Sequence, residues 1–316
     1  MTTRAVVATA FGGPEVLAVT DEPLREPGQG EVLLEVRAVG TNPIDYKLYA
    51  GQIVSDPSAL PMHLGSEAAG VISAVGPDAT GPAGPISVGD EVIAYRIGGA
   101  YADQVVIPAA SVVPKPATLS FEGASGLMLT GCTAVHALTV TGVGSGDTVV
   151  IHGAAGGVGL MAVQLAVAAG ATVIGTASAA RHDALRSLGA VPVLYGDGLL
   201  ERIEALAPDG VDAAIDMAGT VEAVDTSVAL VKDHSRIASI VRSPRAIELG
   251  IALLGMGPGA DPGTEIRDAA RLELVEHVKA GTLSVLVATT YPLEQAAEAH
   301  RELAAGHTHG KIVLIP

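Results

Sequence analysis

Residues 152–159 read HGAAGGVG and follow the apolar run Thr148-Val149-Val150-Ile151. Glycine at this density after a strand lets backbone come close to a phosphate, because no Cβ intervenes, and the N–H groups opening the next helix point at the anion. Gly156, Gly157 and Gly159 allow that approach, and Ala155, Gly156, Gly157 and Val158 are the backbone positions expected to touch a pyrophosphate. The strict GxGxxG spacing of a dinucleotide site is not met, since Ala154 stands where the first glycine belongs. A tight strand–helix turn with glycines for packing is the other reading of the same letters. A second glycine run, GVGSGD at 142–147, precedes a strand instead of following one and reads as a connector.

The stretch after the next strand separates the possible nucleotides. A site for NAD places Asp or Glu about 20 residues beyond the loop, where it accepts the ribose 2′-hydroxyl. Residues 175–183 read GTASAARHD, with no acid before Asp183, and present Ser178 and Arg181 instead. A hydroxyl and a guanidinium suit a 2′-phosphate, because arginine makes charge-assisted, bidentate contacts to phosphate. The alternative is an exposed arginine in the first turn of a helix, an end where cations are mildly unfavourable. Loop and pair together predict NADPH as the cofactor.

A loop of this kind has to sit at the strand ends of a parallel sheet, and the surrounding pattern supplies one. Strands at 147–152, 172–176, 192–195, 212–217 and 236–241 alternate with helices at 158–169, 180–188, 199–205 and 221–231, the rhythm of a doubly wound α/β sheet. Residues 1–115 differ. Short strands at 4–8, 16–20, 31–39, 68–75, 91–95 and 101–107, punctuated by Gly and Pro, predict an antiparallel barrel or partly open roll. GPDATGPAGPISVGD at 76–90 reads as a solvated loop and GMGPGADPG at 255–263 as a mobile one. Helices at 265–279 and 293–305 flank a strand near 284–289, and a last strand covers 311–315.

Composition narrows the partners. At 316 residues the chain is long enough for about two domains. Net charge is −16, from 34 acidic and 18 basic side chains, which argues against nucleic acid and anionic membrane surfaces. An anionic cofactor needs only a few donors and stays compatible. No apolar run reaches the roughly 20 residues of a membrane span. The opening MTTRAVVATAFGG has the character of a strand and turn and lacks that of a signal peptide. A single cysteine, Cys132, excludes an internal disulfide and agrees with a reducing, cytoplasmic setting.

The stretches GTNPIDYKLYAG (40–51), LGSEAAGVI (64–72), VGDEV (88–92), LTGCTAVHAL (129–138), HGAAGGVG, TASAARHDALRSLGA (176–190) and YPLEQAAEAHRELAAGHTHGKIVLIP (291–316) carry a resemblance. In order and spacing the chain resembles the zinc-independent quinone oxidoreductase, or zeta-crystallin-like, branch of the medium-chain dehydrogenases/reductases. The resemblance implies a GroES-like β-rich catalytic domain at 1–117 and 288–316, a Rossmann NADPH-binding domain at 118–287, and a homodimer. Zinc-dependent relatives carry Cys at the position of Asn42, His at Ser66 and a third ligand near Leu129. Amide, hydroxyl and alkyl groups do not replace thiolate and imidazole on zinc, so no metal is expected. His307-Thr-His309 offers two imidazoles without a third ligand.

By its residues alone, Asn42-Pro43-Ile44-Asp45 is a sound helix start, with Asn42 at N-cap, Pro43 at N1 and Asp45 at N3. The resemblance adds that Asn42 positions the nicotinamide ribose and that Tyr46 lines the substrate pocket as a proton donor. It also implies that Thr130 contacts the nicotinamide side and Tyr195 the 2′-phosphate. Many relatives have Arg where this chain has Tyr49. Lys311 matches the family's terminal Gly-Lys, which the resemblance places among the cofactor-binding residues, a solvated strand lysine being the alternative. The implied activity is hydride transfer from NADPH to a quinone or an α,β-unsaturated carbonyl. The other reading is an NADPH-binding sensor or scaffold with little turnover.

Overall fold

Strand Glu31–Gly40 alternates half-buried and buried positions along its first part and ends fully buried at Ala38-Val39-Gly40, as expected of a strand that enters a core from a sheet surface. It pairs antiparallel with Glu67–Val75, with Gln104–Pro108 and, at its buried end, with Lys311–Ile315. Glu91–Tyr95 and Val112–Pro114 extend the sheet on one side, and Val287–Pro292 runs parallel to Lys311–Ile315 on the other. A smaller sheet joins Leu17–Pro23, Thr2–Ala8 and Met62–His63. Val32, Leu34, Val36, Ile72, Ile107, Ile312 and Leu314 fill the core of this β-rich unit.

The computed structural model describes residues 1–306 and 308–316. The β-rich unit comprises Met1–Leu129, Arg271–Lys279 and Val285–Pro316, and a second unit comprises Thr130–Ala270 and Ala280–Ser284. The second is a wholly parallel sheet in the order Val191–Leu194, Thr172–Ala177, Thr148–His152, Ala213–Asp216, Ile237–Ser239, Ala252–Leu253. In chain order this is 3-2-1-4-5-6, a Rossmann sheet whose order reverses beside Thr148–His152. The chain is therefore an α/β protein with a β-rich unit and a doubly wound unit.

Several boundaries differ from the sequence reading, each for a local reason. The strand expected near 284–289 occupies Val287–Pro292, because the Ser284 amide and hydroxyl both donate to Gln164 Oε1 at 2.9 Å and belong to the second unit. Helix Met128–Val140 was not legible: buried residues occupy nearly its whole circumference, which erases amphipathic periodicity. Residues 255–263 form a closed turn, in which Gly255 N donates to Asp261 O and Asp261 N to Leu253 O. The 76–90 segment holds a small ribbon, Thr80–Gly81 with Gly84–Pro85.

Candidate functional site

The glycine loop leaves the carboxyl end of Thr148–His152 and enters helix Gly157–Ala168 with Gly156 as an extended N-cap. Its departure from GxGxxG has a structural explanation. Gly153 takes the left-handed backbone (φ 72°), so the turn is made one residue before Ala154. Ala154 is buried with its methyl against Gly175, where a Cβ would come within 2.8 Å of it. Gly153 N donates to Thr176 Oγ1 at 3.0 Å and Ala154 N to Thr176 O, tying the loop to the neighbouring strand. A Cβ on Gly159 would lie 2.4 Å from Gly153 O, so glycine there is what lets helix and loop close together. The opening turn of the helix presents amides that have no partner one turn back, framed by the half-buried Ala155, Gly156, Gly157 and Val158.

Ser178 and Tyr195 follow directly after Ala177 and Leu194, which are paired in register on adjacent strands. Both therefore stand at the carboxyl edge that carries the loop. Ser178 opens the tight turn Ala179–Arg181, and Arg181 lies in that turn, ahead of the α-helix His182–Ser187, with its N–H on Ser178 O at 2.9 Å. Tyr195 is 55% exposed. Thr130 is buried in helix Met128–Val140.

Beside the switch point lies a cluster that sequence reasoning missed. His152 and Asp216 are register partners at the ends of adjacent strands. Asp216 Oδ1 accepts from the amides of Ala218 and Gly219 at 2.9 and 2.8 Å, and Oδ2 from Ser239 Oγ at 2.7 Å. His152 is 1% exposed, and its Nε2 has no partner among the described residues. Burial holds the ring neutral, pushing its pKa down to about 4, with the Asp216 charge offsetting part of that effect. The signal was available: a carboxylate closing an apolar strand, A-A-I-D, needs partners when buried.

In the β-rich unit, helix Pro43–Tyr49 starts as expected, with Asn42 extended at N-cap and its N–H on Asp45 Oδ2 at 2.8 Å. The Asn42 amide is engaged on both sides. Nδ2 donates to Gly40 O at 3.2 Å and Glu67 Oε1 at 3.0 Å, while Oδ1 accepts from Lys311 Nζ at 2.6 Å. Lys311 also donates to Thr41 O at 2.8 Å and Glu67 Oε1 at 3.0 Å, and Glu67 Oε2 accepts the Leu129 amide at 2.8 Å. Lys311 is not a solvated strand lysine. It is 4% exposed and opposes a Glu67 that is 0% exposed, and its three N–H bonds have three acceptors within the cluster, leaving none for a cofactor. Glu67, which completes the cluster, was not singled out from sequence.

Tyr46 is half-buried beside the core, and its hydroxyl makes no hydrogen bond among the described residues; burial raises its pKa. Tyr49 is buried, with its hydroxyl 2.8 Å from His300 Nδ1. A zinc ion does not suit the donors at this turn: Asn42 offers an amide and Ser66 a hydroxyl, and the Lys311 ammonium already stands against Asn42 Oδ1, where it would repel a second cation. Among the described residues no group of three or more His, Cys, Asp or Glu side chains is arranged around a metal position; His307 lies outside the described residues.

Buried histidines and a buried aspartate contribute opposing pH terms. Burial lowers His300, like His152, to about 4 and raises Asp45 to about 7. Between pH 6.5 and 4 the unfolded chain takes up protons on both histidines that the folded chain refuses, so stability falls as pH drops through that window. Asp45 acts oppositely, because the folded chain holds a proton that the unfolded one has released. One histidine contribution remains uncompensated. Melting temperature is thus expected to fall from pH 6.5 to 4, and His152→Asn to flatten the slope in scanning calorimetry across that range; an unchanged slope would mean that His152 protonates freely in the folded protein.

A chain that folds into a doubly wound nucleotide-type sheet and a separate β-rich unit has the architecture of a medium-chain dehydrogenase/reductase. Residues 28–117 match the alcohol dehydrogenase GroES-like domain, and residues 188–314 match a zinc-binding dehydrogenase domain. The chain is 34% identical to a quinone oxidoreductase of Pseudomonas aeruginosa, over 99% of both chains. Among solved structures it is similar to Escherichia coli quinone oxidoreductase complexed with NADPH (TM-score 0.84, 30% identity, 99% and 100% covered). It is likewise similar to an NAD-dependent alcohol dehydrogenase (TM-score 0.85, 31% identity, 99% of each covered). The chain belongs to the quinone oxidoreductase family of medium-chain dehydrogenases/reductases, and it is an oxidoreductase. No helix among the described residues is long and apolar enough to cross a membrane.

Proposed function

We propose that this oxidoreductase is an NADPH-dependent, metal-free reductase of electron-poor acceptors, either quinones or α,β-unsaturated carbonyls. The observation that carries the reading is the edge built by the glycine loop, Ser178 and Arg181, with no acid between the loop and Asp183. A relative of the same family that was solved with NADPH supports it. The bound dihydronicotinamide supplies a hydride. The chain's own residues do the rest: the 155–158 backbone holds the pyrophosphate, Ser178 and Arg181 hold the 2′-phosphate, and Tyr195 flanks it. Asn42, fixed by Glu67 and Lys311, orients the nicotinamide ribose through the free lone pair of Oδ1, and Thr130 packs on the nicotinamide side. Lys311 acts through Asn42 and Glu67. Without a Lewis acid, the acceptor must carry negative charge itself, as a quinone does in its hydroquinone anion and an enone in its enolate. Tyr46 offers the proton.

Steady-state NADPH oxidation with a panel of quinones and enones tests the activity; binding without turnover would favour a sensor or scaffold. Cofactor choice is tested separately. Arg181→Ala is expected to weaken NADPH by about 10- to 150-fold, the worth of a charged hydrogen bond, and to leave NADH nearly unchanged in fluorescence titrations. Equal weakening of both cofactors would remove the 2′-phosphate assignment and leave the loop's role intact.

A further inference from the structure

Helix Pro43–Tyr49 has seven residues, too few for a helix to hold itself in water, yet on the reading above it carries both Asn42 and Tyr46. Something must fix it. Asp45 and Tyr49 stand four apart and share one face, and both connect to one imidazole, Tyr49 directly and Asp45 through Tyr101. His300, buried in helix Ala296–Ala305, places Nδ1 2.8 Å from the Tyr49 hydroxyl and Nε2 2.7 Å from the Tyr101 hydroxyl. Tyr101 donates to Asp45 Oδ2 at 3.1 Å, and the same oxygen accepts the Asn42 N–H. The Tyr49 and His300 ring planes are parallel to within 2°, with centroids 5.6 Å apart. Gly65 (φ 89°) makes room for the bridge, since a Cβ there would come within 2.5 Å of the Tyr101 ring.

We infer that His300 is a positioning residue, whose neutral imidazole, protonated on Nε2, clamps both ends of helix Pro43–Tyr49 and so sets where Asn42 and Tyr46 stand. The inference rests on the proposed roles of those two residues for its catalytic consequence, and on the hydrogen-bond chain for its structural part.

Counting protons fixes the tautomer. With the proton on Nε2, Tyr49 O–H donates to Nδ1, Nε2–H donates to Tyr101 Oη, and Tyr101 O–H donates to Asp45 Oδ2. Each donor has an acceptor. With the proton on Nδ1 the chain reverses, and the Tyr49 hydroxyl proton has no acceptor among the described residues, a buried donor left unsatisfied. An imidazolium meets the same obstacle. A proton taken up by Asp45 resides on Oδ1 and leaves the direction unchanged, because Oδ2 is occupied by two incoming donors. The surrounding charges do not alter this count. Glu67 and Lys311 near Asp45 form their own pair, and Glu15 and Arg301 near Tyr49 are of opposite sign. Tyr46 sits one residue after Asp45, about 100° round the helix, so fraying or rotation on loss of the clamp displaces its hydroxyl.

The test combines three measurements on the full-length protein. Ring nitrogen NMR at pH 7, with His300 assigned by its absence in His300→Gln, is expected to show an unprotonated Nδ1 and a protonated Nε2. Amide exchange over residues 44–50 is expected to speed about tenfold in His300→Ala and in Tyr101→Phe, the worth of one buried hydrogen bond, with strand 148–152 unchanged. In NADPH-dependent turnover both variants should lose about tenfold in kcat on the same grounds, with KM for NADPH changed less than kcat. His300→Gln, which keeps one acceptor and one donor, should recover part of that loss. An Nδ1-protonated or doubly protonated ring, or unchanged exchange in both variants, overturns the inference. If His300→Ala does not fold, Tyr101→Phe and the wild-type spectrum decide. Wild-type protein that turns over no acceptor, yet shows the expected tautomer and exchange, leaves the clamp standing and removes the reductase reading instead.

Discussion

Lys311→Met is expected to lower the unfolding free energy by about 3–5 kcal/mol, the loss typical when one member of a buried ion pair is removed. The cost arises on the residue left behind. Glu67 is fully buried, and without the ammonium its charge keeps, among the described residues, the Leu129 amide and the Asn42 side chain as donors. Glu67→Gln combined with Lys311→Met should regain most of the loss, since it removes the stranded charge and retains the shape. Urea unfolding followed by circular dichroism measures both. A loss below about 1 kcal/mol would mean that the pair behaves as a surface ion pair does. Asn42 also loses its Lys311 contact, so weaker turnover should accompany even a small change in stability.

Tyr46→Phe is expected to slow enone reduction by about 10²–10⁴-fold, the usual contribution of a general acid, and quinone reduction far less. An enolate must be protonated to complete the reaction, whereas a hydroquinone anion can depart and take its proton from water. The raised pKa of Tyr46 keeps the phenol protonated at neutral pH, and its hydroxyl is not committed to any described residue. Cofactor affinity should not change. Stopped-flow traces with one quinone and one enone read the difference directly, and equal rates for wild type and variant on both would assign the proton to solvent.

The doubly wound sheet was legible because its strands are short apolar runs and most of its helices are followed by glycine, as at Gly170 after Gly157–Ala168. The buried helix Met128–Val140 was not, since periodicity exists only where one face meets water. The same limit applies to the sites. Ser178, Arg181 and the glycine loop could be found because their spacing along one βαβ unit is their spacing in space. Glu67 and Lys311 lie 244 residues apart, and His300 lies 251 from Tyr49 and 199 from Tyr101; no local pattern encodes such meetings. Ala154 is an intermediate case. It breaks the fingerprint, and the compensating residue, Gly175, is on the next strand, where only the packing reveals it.

The distance between Glu67 and Lys311 also has a consequence in time. A ribosome adding about 5–20 residues per second needs about 12–50 s to travel the 244 residues between them. Throughout that interval the nascent β-rich segment contains a carboxylate destined for the interior and no ammonium to receive it, and its strand Glu31–Gly40 lacks its neighbour Lys311–Ile315. Residues 130–270 form one nearly continuous unit and meet no such delay. The nucleotide-type sheet is thus positioned to mature first during synthesis, while the segment made before it waits for the last strand.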